Sequence, residues 1–302
     1  MGDPQDQRET TVFITGGDFS QGFFERRPHP LSFEFGAASD RGKVRPNNED
    51  HYAVVRRRRT SELLLTNLEL PGAATADDSA YALIVADGMG GARFGEFASR
   101  LALQRMFELA QQATSWVMKY TDEEVIQFRE RVDAYVQEIQ ATMRDHIAAD
   151  PHLSGMGTTW LSAHLMAPHA LVVHIGDSRA YLLHDGELQQ ITRDETMAQA
   201  LIDAGRDPET VKQFGHVLLN NFGAERDDVR AQVHHFMLEA GDRLLLCTDG
   251  LTDMVSDEEL AMVLKETAAA QAACDRLIEM ALDHGGKDNV TVLVAAVAEP
   301  EA

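Results

Sequence analysis

The sequence predicts an α+β protein built on antiparallel sheets. Short apolar runs of strand length follow one another through tight turn signals, and the helical periodicities fall in separate blocks instead of alternating with the strands. A parallel, doubly wound sheet would need a crossover of a dozen or more residues between neighbouring strands, which this order does not supply. The chain has 302 residues, 44% hydrophobic and 25% charged, enough to bury a large core.

Residues 1–30 alternate poorly and contain Arg26-Arg27-Pro28-His29-Pro30, so they are expected to form an N-terminal extension to a main domain of residues 31–299. Strands are expected at 33–35, 52–55 and 81–86. Between the second and third, four successive arginines lead into a segment rich in Gly, Ala, Thr and Asp, which reads as an exposed hairpin or loop, basic at its start and acidic at its end. Residues 93–113 place Phe94, Phe97, Ala98, Leu101, Met106, Leu109 and Ala110 at helical intervals. Thr121-Asp-Glu-Glu124 looks like a cap opening a second helix over 121–149, with Val125, Phe128, Val132, Tyr135, Val136, Ile139 and Met143 on its core face. That helix should stop at Asp150-Pro151, because the residue before a proline is pushed out of the helical region. Strands follow at 159–165, 171–175, 180–183 and 188–191, with turn signals at Pro168-His169, Gly176-Asp177 and Asp185-Gly186. Helices are expected at 196–204 and, with a break, at 256–282; further strands are expected at 232–237, 243–247 and 289–297.

The charge narrows the partners. With 27 Lys and Arg against 49 Asp and Glu, the net charge of −22 is spread along the chain. Such a field repels nucleic acid and anionic lipid, so neither is an expected partner. The only cysteines are Cys247 and Cys274, and Cys247 follows the apolar run Leu244-Leu245-Leu246, where a buried thiol suits a reducing cytosol and no disulfide framework arises. The first residues lack a basic stretch leading into an apolar one, Asp6 breaks the myristoylation pattern at Gly2, and apolar runs elsewhere are too short to span a bilayer. A cytoplasmic protein without a membrane is the expectation.

Five stretches put an acidic residue at a turn beside an apolar strand: Arg45-Pro-Asn-Asn-Glu49-Asp50, Asp87-Gly-Met-Gly-Gly91, Gly176-Asp177-Ser-Arg179, Thr248-Asp249-Gly250 and Lys287-Asp288-Asn289. Carboxylates gathered from distant parts of a chain repel one another unless cations lie between them. A strand ending in Asp-Gly is by itself an ordinary turn. Asp87, Asp249 and Asp288 at the mouths of three core strands are harder to attribute to turns. Glu49 and Asp50 add oxygen donors of the kind Mg²⁺ and Mn²⁺ prefer, whereas the 12 histidines show no paired spacing for zinc. Arg45, four residues before Glu49, could capture a phosphate bidentately; its alternative role is a structural ion pair with Glu49 or Asp50.

Taken in order, Ser39-Asp-Arg-Gly-Lys-Val-Arg45-Pro-Asn-Asn-Glu49-Asp50, Asp87-Gly-Met-Gly-Gly91, Gly155-Met-Gly-Thr-Thr159, Gly176-Asp-Ser-Arg-Ala-Tyr181, Leu246-Cys-Thr-Asp-Gly-Leu251 and Asp288-Asn-Val-Thr291 resemble the metal-dependent serine/threonine phosphatases of the PP2C (PPM) type, bacterial branch, over about residues 33–297. The resemblance implies a four-layer αββα sandwich, two antiparallel sheets packed face to face and flanked by helices. By position it implies that Asp87 bridges two Mn²⁺ or Mg²⁺ ions, that Asp249 and Asp288 complete one shell, and that Glu49 and the Gly88 carbonyl serve the other. Asp50 would bind directly or through water, and Arg45 would hold the substrate phosphate. A water shared by the cations would lose its proton and attack phosphorus in line, with no covalent enzyme intermediate. Asp177 and Arg179 read instead as a buried structural pair or turn, and Thr158 and Thr159 as strand packing.

The pattern also departs from the family. Met89 stands where animal members carry a His thought to assist the leaving group. A third, weaker ion in many bacterial members uses an Asp where this chain has Ser154, with Asp150 the nearest acid; Asp194 fits that site's other contributor. Residues 197–222, with Gly205, Pro208 and Gly215, would form a mobile flap beside the site. The Arg56–Arg59 run reads as a solvated strand end, with recruitment of an acidic partner or phosphopeptide as the alternative. The implied function is a cytoplasmic phosphatase acting on phosphoserine and phosphothreonine proteins, reversing a bacterial-type Ser/Thr kinase. The rivals are an inactive pseudophosphatase serving as a binding module and a hydrolase of small phosphate esters.

Overall fold

Strands with apolar residues on both faces must be covered on both faces, and the central strands of this chain are of that kind. The computed structural model describes residues 31–62, 75–90, 94–112, 122–223 and 228–300. In chain order its elements are β1 (Ser32–Asp40), β2 (His51–Glu62), β3 (Thr75–Ala86), β4 (Gly88–Met89), α1 (Phe94–Gln112), α2 (Asp122–Ala149), β5 (Gly157–Thr158), β6 (Trp160–Met166), β7 (His169–Ile175), β8 (Arg179–His184), β9 (Glu187–Gln190), α3 (Met197–Asp203), α4 (Pro208–Val211), β10 (Gln232–Met237), β11 (Arg243–Cys247), α5 (Asp249–Thr252), α6 (Asp257–Glu266), α7 (Ala270–Asp283) and β12 (Val290–Ala298).

One sheet runs β1-β12-β11-β8-β9 and the other β10-β7-β6-β3-β2, with antiparallel pairing throughout. The alternation along β11 shows how the layers arise. Leu244 and Leu246 point between the sheets, where they meet Leu83, Val85, Leu161 and Ala163 of the second sheet. Leu245 and Cys247 point the other way, under Leu260, Val263 and Leu264 of α6 and Ala273 and Leu277 of α7. On the far side, Ile84, Val173 and Ile175 are covered by Ala98 and Ala102 of α1 and by Val136, Ile139 and Met143 of α2. Three apolar seams therefore separate four layers, the expected αββα sandwich.

The helix boundaries follow from local chemistry. Ser256 and Glu259 form a reciprocal capping box at the start of α6, and the expected break in the 256–282 helix falls after Glu266. α2 ends at Ala149, and Asp150 then caps a single 3₁₀ turn, Pro151–Leu153. β2 and β3 run further than expected: Arg56 pairs with Tyr81 and the ladder continues to Glu62 and Thr75, so the segment read as an exposed hairpin or loop begins as regular strand on both arms. The two-residue strands β4 and β5 were not expected either. Residues 1–30, the capping Thr121 and the stretch at 63–74 lie outside the described residues. No described helix is long and apolar enough to cross a membrane.

The registers bring the acidic turns to one end of the sandwich. His51 opposes Ala86, which sets Asp50 beside Asp87 across the β2–β3 pair. Cys247 opposes Val292, and the Thr248 amide donates to the Thr291 carbonyl at 3.1 Å, which sets Asp249 beside the start of β12.

Candidate metal centre

Each acidic turn is held by a side chain from another segment. The Asp87 carbonyl accepts from the Thr159 amide (2.9 Å) and the Thr158 hydroxyl (2.8 Å), and its amide donates to Thr159 Oγ1 (3.0 Å). These two threonines, read from sequence as strand packing, thus fix the bend that ends β3. Asn289 does the same for the opposite loop: its Nδ2 donates to the carbonyls of Arg41 and Asn47, each at 2.8 Å, and its Oδ1 accepts from the Glu49 amide at 2.8 Å. Asp50 is buried, and its Oδ2 accepts from Thr248 (2.9 Å) and Thr291 (2.7 Å).

Around these turns lies a cleft of about 230 Å³ lined by Arg45, Glu49, Asp87, Gly88, Met89, Asp177, Asp249 and Asp288, with His216 and Leu218 on the 197–222 side. Gly88 and Gly95 pack backbone to backbone. A Cβ on Gly95 would stand 2.3 Å from Glu49 Oε2 and 2.6 Å from the Gly88 carbonyl oxygen, so these two oxygens converge on one point. Only glycine leaves that point open.

The electrostatics are those of a site that wants cations. Burial is the first cause in every case: it holds the Asp87 and Asp249 carboxyls well above the usual carboxylate range, and the surrounding aspartates push both higher. Asp177 is pushed up to about 7 by burial and then by Asp194. Asp50 is pushed up to about 6 by burial, against the lowering effect of its two threonine donors. Glu49 is raised, mainly by burial. Asp50 Oδ1 and Asp249 Oδ1 are buried with no hydrogen-bond partner, a costly state for a carboxylate oxygen unless something positive meets it. Among the described residues no three His, Cys, Asp or Glu side chains are drawn tightly enough to enclose an ion as they stand, so the carboxylates would have to close in around one. An all-oxygen donor set with orphaned buried oxygens fits hard divalent cations.

The structure gathers Arg45, Glu49, Asp87, Gly88, Asp249 and Asp288 at one cleft with Asp50 buried beneath, but it departs from the sequence reading at Asp194. Both Asp194 oxygens accept from Arg179, at 2.7 to 3.2 Å, and Oδ1 also accepts from Gln190. That carboxylate is neutralised by a guanidinium and lines no part of the cleft. Of the buried pair or turn expected at Asp177 and Arg179, the direct pair is corrected: Arg179 takes Asp194, while Asp177 stays buried, feels the charge of Arg179 and faces Asp249. Arg45 pairs with Asp288 (2.5 Å) and not with Glu49 or Asp50, and its side chain is 55% exposed at the cleft lip. Ser154 and Asp150 do not line the cleft. Sequence reasoning missed Gly95, Asn289 and the hydroxyls of Thr248 and Thr291, and it assigned no role to His216.

Comparison with known proteins agrees with this arrangement. Residues 72–284 match the family model for protein phosphatase 2C. The chain is 39% identical over 272 residues to the serine/threonine protein phosphatase PstP of Mycobacterium tuberculosis, a match covering 89% of this chain and 46% of that protein, so it spans just under half that relative's length. It is 30% identical over 261 residues to the serine/threonine phosphatase stp of Listeria monocytogenes, covering 85% of this chain and 92% of that one. Among solved structures, the catalytic domain of PstP in complex with 2 manganese ions is similar with a TM-score of 0.69 at 35% identity, covering 89% of this chain and 99% of that one. On these matches, and on the layered sheets that bring the acidic turns together, the chain belongs to the protein phosphatase 2C family.

Proposed function

We propose that residues 31–299 form a metal-dependent protein phosphatase that hydrolyses phosphoserine and phosphothreonine esters. The observation that carries this reading is the set of buried acids around one cleft, with orphaned oxygens on Asp50 and Asp249 and an exposed guanidinium, Arg45, at its lip. Asp87 would be shared by two Mn²⁺ or Mg²⁺ ions, Asp249 and Asp288 would hold one, Glu49 and the Gly88 carbonyl the other, and Asp50 would bind directly or through water. When bound, such a pair supplies Lewis acidity and acidifies water. The pairing of Asp194 with Arg179 argues against that residue as a ligand, and no third ion is part of the reading.

The chain's own groups do the rest. Arg45 exchanges its partner Asp288 for the substrate phosphate, a bidentate, charge-assisted contact that orients phosphorus over the carboxylates. Thr248 and Thr291 hold the Asp50 carboxylate in place through Oδ2 and leave Oδ1 without a hydrogen-bond partner. Met89 lines the cleft without a titratable proton, so it gives the leaving oxygen none. His216 and Leu218 border the cleft on the 197–222 side, where they can limit water access.

Relatives named as bacterial serine/threonine phosphatases support phosphoproteins made by a bacterial-type Ser/Thr kinase as the substrate class. Two buried, unpaired thiols, Cys247 and Cys274, support a reducing cytosol as the compartment. The test is Mn²⁺-dependent release of phosphate from a phosphothreonine peptide by the wild type and by Asp87→Asn. Turnover that the substitution abolishes while the melting transition persists is the expected result. No turnover by the wild type would favour an inactive binding module, and faster release from nucleotides than from peptides would favour a small-ester hydrolase.

A further inference from the structure

The Arg56–Arg59 run lies on a strand that leads out of the cleft. β2 ends its sheet and, among the described strands, pairs with β3 alone, so a 12-residue edge is left unpaired there. Long unpaired edges are binding templates that proteins normally blunt or use. The strand begins at His51, immediately after Glu49 and Asp50, so it continues the cleft floor outward. Ala53 packs toward the helix-covered core, whereas Tyr52 (43% exposed), Val54 (38% exposed), Arg56 and Arg58 share the opposite, open face. At about 3.3 Å per residue, Arg56 stands roughly 17 Å from His51 along the strand. On a chain of net charge −22, four consecutive arginines concentrate positive charge, with Asp78 opposite only the last of them across the β2–β3 ladder.

We propose that the open edge of β2 is a docking strand for an extended, acidic segment of the phosphoprotein substrate. This rests on the phosphatase reading of the cleft and adds to it what the enzyme recognises beyond the phosphate. The segment adds to the sheet through its main-chain amides and carbonyls, the mode that suits an unpaired edge. Acidic residues two apart on that segment face Arg56 and Arg58, Arg58 exchanging its present partner, and the guanidinium groups recognise carboxylates by charge-assisted hydrogen bonds. Tyr52 and Val54 give the intervening chain an apolar floor. Elsewhere the negative surface repels the same segment, so an acidic peptide is held in one register, with its phosphoresidue about five to seven residues from the acidic pair.

The experiment compares phosphothreonine peptides carrying Asp-x-Asp, or Asn-x-Asn, about six residues to either side of the phosphoresidue. For the wild type, kcat/KM should be about tenfold higher for the Asp peptide than for its Asn twin on one of the two sides, mostly through KM. Arg56→Glu/Arg58→Glu should erase that preference, and Arg56→Gln should reduce it, while turnover of the Asn peptide stays unchanged and reports an intact fold. Salt at about 0.5 M should erase it as well. N-methylation of alternate amides in the distal segment should remove the preference if the peptide adds as a strand. Equal rates for Asp and Asn peptides on both sides, or a preference that survives the double charge reversal, would overturn the docking strand. Survival of the preference after N-methylation would overturn strand addition. A wild-type enzyme that hydrolyses no peptide in the series would sink the phosphatase reading, and the docking strand with it.

Discussion

Gly95→Ala tests the cation cradle without touching a proposed ligand. Gly95 is the second residue of α1 and is buried. Its new Cβ would sit 2.3 Å from Glu49 Oε2, 2.6 Å from the Gly88 carbonyl oxygen and 2.7 Å from the Gly88 carbonyl carbon, all closer than carbon side chains come. Gly88 cannot easily retreat, because it pairs with Thr158 in the β4–β5 ladder and itself lies against the Gly95 backbone. The Glu49 carboxylate must therefore swing away or the Gly88 carbonyl must turn, and both are proposed to hold the same ion. Alanine gains about 1 kcal/mol over glycine inside a helix. The overlap costs about 1–3 kcal/mol. The melting temperature without metal should thus change little or fall modestly. Disturbing the orientation of ligands typically costs about 10–100-fold in metal affinity. Calorimetric titration with Mn²⁺ should show one site weakened by that factor and the other nearly unchanged. A folded Gly95→Ala protein with both affinities equal to the wild type would refute the assignment of Glu49 and Gly88.

Arg45→Ala should raise KM for a phosphopeptide by roughly 10–100-fold, the worth of a charge-assisted hydrogen bond of about 1.5–3 kcal/mol, with kcat changed far less. Steady-state kinetics check this, and an unchanged KM would assign Arg45 to its ion pair with Asp288 alone. The acids of the site also make metal binding and stability pH-dependent. Asp50 and Asp177, pushed up to about 6 and about 7, and Asp87 and Asp249, raised well above their ordinary range, bind protons more tightly in the folded state than in the unfolded one. Their contribution to the metal-free protein is fully present below about pH 4 and is lost as pH rises through 6 and 7. Cations displace those protons, so the rise in melting temperature produced by Mn²⁺ should grow between pH 5 and pH 8. A rise of equal size at both pH values would contradict that electrostatic account.

Most of the architecture was legible because burial on both faces leaves a strong mark. The run Leu244-Leu245-Leu246-Cys247, short and ending in Thr-Asp-Gly, reads as a buried strand, and the split of its side chains between two seams bears that out. The extent of β2 and β3 was not legible, because an edge strand with one face in solvent needs no apolar alternation and tolerates arginines. β4 and β5 are two residues each and exist only because the Asp87 turn meets Thr158 across the fold. At the site, acids standing at strand ends were visible as a class, and the structure gathers the seven candidate residues other than Asp194 at one cleft, six on its wall and Asp50 just beneath. Which acids face the cleft was not visible. Asp177 stands two residues before Arg179 and Asp194 fifteen after it, and only the path of the chain after β9 decides that the guanidinium takes Asp194. Gly95 carried no signal beyond being a glycine near a helix start, where a cap would be the ordinary reading. Thr248, Thr291 and Asn289 sat inside the motifs, yet their hydrogen bonds span some 200 residues or more and depend on registers that local patterns do not encode.

The most direct test of the central claim, that acids from distant turns jointly hold a pair of divalent cations, is anomalous diffraction at the manganese edge from crystals grown with Mn²⁺. The account predicts two anomalous peaks in the cleft, both in contact with Asp87, one also bounded by Asp249 and Asp288 and the other by Glu49 and the Gly88 carbonyl. A cleft without manganese, or ions bound away from Asp87, would contradict it.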